Sequence, residues 1–153
     1  MPDMLRPPEL PLGRAEIREL LPHRDPFLFL DRVTDLEPGV RARGARLITG
    51  DEAVLAGHFP GRPVWPGVLT IEAMAQLWGV CDALAAERGE GALGVFAAVD
   101  KVRFRRPVLP GDLLEMRVEL DRRRGSFSRV RAEARVDDEP VAEGTLSFGV
   151  IDG

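Results

Sequence analysis

The chain has 153 residues, 44% hydrophobic and 30% charged, which is the balance of one soluble globular domain able to bury a core. A net charge of −4 argues against a bulk nucleic-acid binder, and no apolar run approaches the roughly 18 residues that span a bilayer. A single cysteine excludes an intrachain disulfide, one cysteine with two histidines argues against a metal site, and the absence of tyrosine removes it as a catalytic acid.

Residues 1–13 carry Pro2, Pro7, Pro8 and Pro11 and read as a proline-rich arm without the apolar stretch of a secretory signal. A single domain is expected over 14–153. Residues 14–21 place Ile17, Leu20 and Leu21 at helical spacing and stop at Pro22. Pro22-His23-Arg24-Asp25-Pro26 reads as a capped turn, with His23 in a structural role. Residues 27–33, rich in aromatic and branched side chains, predict the start of a strand. Glu37-Pro38-Gly39 is a turn, residues 40–49 alternate as a strand, and Gly50-Asp51-Glu52 breaks it.

Three prolines and three glycines between Gly57 and Gly67 forbid regular structure there. Residues 68–87 then lack proline and are mostly Ala, Leu, Met, Val and Ile, which predicts a buried helix ended by Gly89 and Gly91. Cys81 on this helix reads as packing. Four strands follow, over 93–104, 112–121, 126–136 and 141–150, the last three joined by short links and therefore antiparallel neighbours. The expected fold is α+β: one long apolar helix wrapped by a curved antiparallel sheet of five or more strands. One sheet covers only part of such a helix, so a homodimer is expected.

The chemistry concentrates between His58 and Gln76. His58 sits in a proline-locked loop, and histidine suits proton abstraction near neutral pH. Glu72 and Gln76 are one helical turn apart and share a face. A carboxyl on an apolar helix is paired or kept protonated, and beside an imidazole it makes an acid–base pair. The Gly67 N–H stands at the helix start, where the dipole favours negative charge such as that of an enolate oxygen. The arginines of Arg103-Phe104-Arg105-Arg106 and Arg122-Arg123-Arg124 are either solvated strand edges or a docking surface for an acidic partner. Trp65 and Trp78 are either core or tunnel walls.

The run from Gly57 to Gln76, GHFPGRPVWPGVLTIEAMAQ, resembles the signature of the 3-hydroxyacyl-acyl carrier protein dehydratases of bacterial fatty acid synthesis. Leu21-Pro22-His23-Arg24-Asp25-Pro26-Phe27-Leu28 with Asp31-Arg32-Val33, and Phe104-Arg105-Arg106-Pro107-Val108 with Pro110-Gly111-Asp112, match two further blocks in order. The resemblance implies a hotdog fold and a cytoplasmic enzyme. It implies an obligate dimer, often built into a trimer of dimers, with His58 of one subunit facing Glu72 of the other. Carried over, His58 takes the α-proton, Glu72 protonates the leaving hydroxyl, the Gly67 N–H holds the thioester carbonyl and Gln76 supports Glu72. No metal or redox cofactor is implied. The partner is acyl carrier protein, its phosphopantetheine entering past a basic rim for which Arg105 and Arg106 are candidates.

Glutamate at position 72 favours the simple dehydratase over the branch that also isomerises, which resembles this pattern with aspartate there. Trp65 departs from the usual methionine and bears on acyl length. Two rivals remain: a thioesterase on the same fold, which has no need of a proline-locked histidine, and a non-catalytic acyl-binding module.

Overall fold

The computed structural model describes residues 8–85 and 92–151. Three helices, α1 (Arg14–Leu20), α2 (Ala53–Gly57) and α3 (Gly67–Ala83), accompany six strands. These are β1 (Arg32–Glu37), β2 (Arg41–Leu47), β3 (Leu93–Phe104), β4 (Leu113–Arg124), β5 (Phe127–Val136) and β6 (Glu139–Ile151). They form one antiparallel sheet in the order β1-β2-β4-β5-β6-β3, and α3 packs against β2, β4, β5 and β6. The expected α+β arrangement of a helix wrapped by a sheet is therefore present.

Period-two burial shows why these segments became strands. Ser128, Val130, Ala132, Ala134 and Val136 of β5 face inward, as do Leu114, Met116 and Val118 of β4. They meet Ala73, Met74, Leu77 and Val80 of α3 in one core. Gly44 lets the helix lie close: a Cβ there would meet the Arg32 carbonyl oxygen at 2.7 Å and Leu77 Cδ1 at 3.0 Å. Between β5 and β6, Asp137 and Asp138 both take positive φ (50° and 63°), the two-residue turn whose twist matches a hairpin.

Several boundaries differ from the sequence reading, each for a visible reason. Residues 27–31 are not strand, because side chains satisfy their backbone. Gln76 Oε1 accepts from the Phe29 N–H at 2.8 Å, Gln76 Nε2 donates to the Phe27 carbonyl at 2.8 Å, and Arg46 donates to the Leu28 carbonyl at 3.2 Å. Helix α3 ends at Ala83 rather than 87, where the Gly39 N–H of the β1–β2 turn bonds the Cys81 carbonyl at 3.0 Å and captures one of the last helical acceptors. Gly89 and Gly91, the expected stops, lie outside the described residues. The five-residue α2 has no sequence signature, and β4 runs on through Arg122 and Arg123 to Arg124 where a turn was expected. Leu12, in the segment read as an arm, is buried and exchanges backbone hydrogen bonds with Val33 at 2.9 and 3.0 Å.

Candidate active site

His58 follows α2 in a loop that closes on itself. Phe59 and Arg62 exchange backbone bonds (3.0 and 2.8 Å), and Gly61 between them takes φ +71°, a conformation that only glycine adopts cheaply. The Val64 N–H then bonds the His58 carbonyl at 2.8 Å, and the Val64 carbonyl lies 2.7 Å from His58 Nδ1. A carbonyl only accepts, so Nδ1 carries the proton and Nε2 carries the lone pair. The imidazole stacks on Phe59 with ring centroids 4.2 Å apart. His58 is thus half-buried, with its ring held by the Nδ1 contact to Val64.

The loop passes through Trp65, whose backbone N–H bonds the Val108 carbonyl at 2.8 Å, and Pro66 caps α3. Gly67 is the first helical residue, so its N–H has no partner within the helix. Phe104 roofs this point: a Cβ on Gly67 would meet Phe104 Cε1 at 2.7 Å. Gly67 is half-buried, and any side chain at this position would collide with the Phe104 ring.

Farther along α3, the positions left incompletely covered are Val68, Leu69, Glu72, Ala75, Gly79 and Ala83, of which Glu72, Ala75, Gly79 and Ala83 form a stripe at helical spacing. From Glu72 to Ala83 that stripe floors a groove of about 470 Å³, walled by Leu21, Pro22 and His23 on one side and by residues 92–96 and Phe148 on the other. Gln76 is 1% exposed and its amide is fixed by the two backbone bonds described above. Its remaining N–H points at Glu72 Oε1, 3.1 Å away. Glu72 is 17% exposed at its side chain. The expected pairing of Glu72 with Gln76 is present, and Gln76 does more than expected by fastening the 27–29 segment to the helix.

His23, read from the sequence as structural, lies beside Glu72, with Nε2 3.4 Å from Oε1. Nothing in helical or strand periodicity places a residue of a turn, so only its presence in the first matching block pointed here. His58 is not among the residues that line the groove holding Glu72. Trp65 is absent from the groove lining too. It is buried against Phe29 (ring centroids 5.7 Å) and under the Arg46 guanidinium at 5.5 Å, so within one chain it is a core side chain. Trp78 is both core and groove wall, with its Nε1 donating to Ser128 Oγ at 3.3 Å.

Of the arginines, Arg123 is tied into the structure, bonded to Asp82 at 2.8 Å and lying over Trp78. Arg105 pairs with Glu143 and Arg106 with Glu139 at 3.6 Å, so both candidates for a docking rim are engaged with acidic neighbours at the surface. Cys81 is buried, its Sγ 3.3 Å from the Glu37 carbonyl, and burial pushes its thiol up to about 11. Among the described residues no group of three or more His, Cys, Asp or Glu could hold a metal ion.

Comparison with known proteins places this geometry. Residues 21–145 match the FabA-like domain family. A 3-hydroxyacyl-acyl-carrier-protein dehydratase FabZ from Natranaerobius thermophilus is 49% identical over 137 residues, covering 90% of this chain and 96% of that one. Among solved structures, the dehydratase heterocomplex ApeI:P from Xenorhabdus doucetiae superposes with a TM-score of 0.76 at 21% identity, over 89% of this chain and 91% of that one. A hot-dog-like protein from Thermanaerovibrio acidaminovorans gives 0.61 at 21% identity over 76% and 84%. The fold is the hotdog fold.

Proposed function

The chain belongs to the FabA-like domain family, and on that premise we infer that it dehydrates 3-hydroxyacyl-acyl carrier protein to the trans-2-enoyl thioester in fatty acid elongation. The observation that carries the reading is the near full-length match to a dehydratase of that activity.

The residue roles follow from the chemistry. Nε2 of His58 removes the α-proton, and the C–H electrons become the Cα–Cβ double bond. The Cβ–O bond breaks, and the hydroxyl takes the proton of Glu72 and leaves as water. The Gly67 N–H, reinforced by the α3 dipole, takes the growing charge on the thioester oxygen. Both proton transfers use side chains, so the reaction as proposed needs no metal or redox cofactor. The acyl group arrives on the phosphopantetheine of the carrier protein and lies along the stripe from Glu72 to Ala83, about 16 Å at 1.5 Å per residue.

The functional unit in this reading is a homodimer, assembled further as a trimer of dimers, in the cytoplasm. Support for the dimer comes from β3, which among the described residues pairs only with β6 and leaves Leu93, Val95, Phe96 and Val99 exposed along the sheet edge. A long apolar edge requires cover. Val68, 71% exposed at the start of α3, requires the same. A partner chain supplies that cover and brings its own His58 toward Glu72. Arg105 and Arg106 serve as docking contacts for the acidic carrier protein only by exchanging their present partners, Glu143 and Glu139.

The test is turnover of a 3-hydroxyacyl carrier-protein thioester, followed by enoyl absorbance. His58→Ala and Glu72→Gln are each expected to lose at least about 100-fold in kcat, the usual worth of a general acid or base. Release of free thiol without enoyl product would replace the dehydratase by a thioesterase.

A further inference from the structure

Glu72 has two carboxyl oxygens, and the protein treats them differently. Oε1 faces the Gln76 amide nitrogen at 3.1 Å and His23 Nε2 at 3.4 Å. Oε2 has no hydrogen-bond partner among the described residues. Gln76 cannot turn over, because its own oxygen is held by Phe29 N–H and its nitrogen by the Phe27 carbonyl. It can therefore only donate to Oε1. The other nitrogen of His23, Nδ1, is buried without a partner. A buried bare lone pair costs less than a buried N–H with no acceptor beside a carboxyl that accepts at Nε2, so the Nε2–H tautomer fits these surroundings. His23 is itself held: Arg24 donates to the Leu21 and His23 carbonyls at 2.8 and 2.7 Å, and the imidazole lies parallel to Phe27.

We propose that His23 is a positioning residue for the dehydration: with Gln76 it occupies Oε1 of Glu72, so that the transferable proton resides on Oε2 and is aimed at the leaving hydroxyl. The Gln76 hydrogen bond and the imidazole at ion-pair distance both bear on one oxygen and favour it as the carbonyl-like one of the neutral acid. Without His23 the carboxyl is pinned by Gln76 alone and can rotate about its Cγ–Cδ bond, which spoils the geometry of proton delivery more than substrate binding. The proposal rests on the reading of Glu72 as the acid.

The experiment compares wild type, His23→Ala, His23→Gln and Glu72→Gln in the enoyl-forming assay, with melting temperatures. Glutamine keeps an N–H donor at similar reach and cannot titrate. His23→Ala is expected to lose about tenfold in kcat with KM within about twofold, and His23→Gln to recover to within about threefold of wild type. The proposal is overturned if His23→Ala keeps its kcat, if the loss falls on KM alone, or if His23→Gln is as impaired as His23→Ala while melting normally. Should His23→Ala fail to fold, the kcat of His23→Gln decides. An active Glu72→Gln would instead remove the premise about Glu72 and leave the contact with His23 unexplained by catalysis.

Discussion

At the scale of single residues, the site depends on groups whose hydrogen bonds leave them one choice. His58 and Val64 grip each other through backbone and ring, and Gln76 spends all three of its amide bonds at defined partners. Gln76→Leu keeps the volume but strands the buried Phe29 N–H and removes the donor to the half-buried Phe27 carbonyl. It should cost about 2–4 kcal/mol in urea denaturation and lower turnover as well; a change in turnover with unaltered stability would mean the amide is not a structural fastener. Cys81 offers a pH test. Burial moves its thiol from 9.0 to about 11 on folding. The unfolded chain therefore ionises first, and the contribution of the thiol to stability is complete below pH 9 and is lost as pH rises from 9 to 11. Cys81→Ala should melt with a shallower alkaline decline across that window, and equal slopes would contradict the assignment. His58, Glu72 and Gln76 were legible because chemistry and helical spacing mark them in one short run. His23 was not, because its role depends on where a turn lands after the chain has packed.

At the scale of elements, loops bear the precision and the helix bears the cover. The turn after β2 is held by Glu52, whose carboxylate accepts from the Thr49 and Gly50 N–H groups at 2.8 Å each and from Arg46 at 3.3 Å. Burial favours the neutral carboxyl, but the hydrogen bonds from the backbone of Thr49, Glu52 and Gly50 and from the Thr49 side chain outweigh it and hold the group below 4.5. The sign follows: its stabilisation is present above the unfolded value and is lost as pH falls through the lower folded one. Glu52→Gln should cost about 1–2 kcal/mol at pH 7 and show a weaker acid-limb decline below pH 4.5 than wild type. Parallel acid limbs would contradict this. Strands β4 and β5 were readable because period-two burial is written along them, whereas β3 is exposed along nearly its whole length and was marked only by its branched and aromatic residues. The 27–31 segment misled because branched and aromatic residues signal burial, not strand pairing, and Gln76 and Arg46 took over the bonds that a neighbour strand would have made. The end of α3 was set by a distant turn that no local pattern reveals.

At the scale of the whole molecule, the sheet is curled around α3 on one side and open at β3 on the other. Val99, exposed on that edge, tests the proposed interface: Val99→Asp should sediment as a monomer and lose enoyl formation together with the dimer. A monomer with full activity would refute a shared site. The need for cover was visible in the sequence as a helix apolar all round, whereas the face to be covered was not, since the sheet order that leaves β3 outermost is a tertiary outcome. The most direct measurement is enoyl formation by protein co-expressed as His58→Ala and Glu72→Gln chains carrying different tags. In a mixed dimer whose sites each combine His58 of one chain with Glu72 of the other, one site bears both changes and the other bears neither. Random pairing then restores about a quarter of wild-type activity, because half the dimers are mixed and each has one intact site. A mixture no more active than its two parents would contradict a dehydratase site built from His58 and Glu72 of different chains.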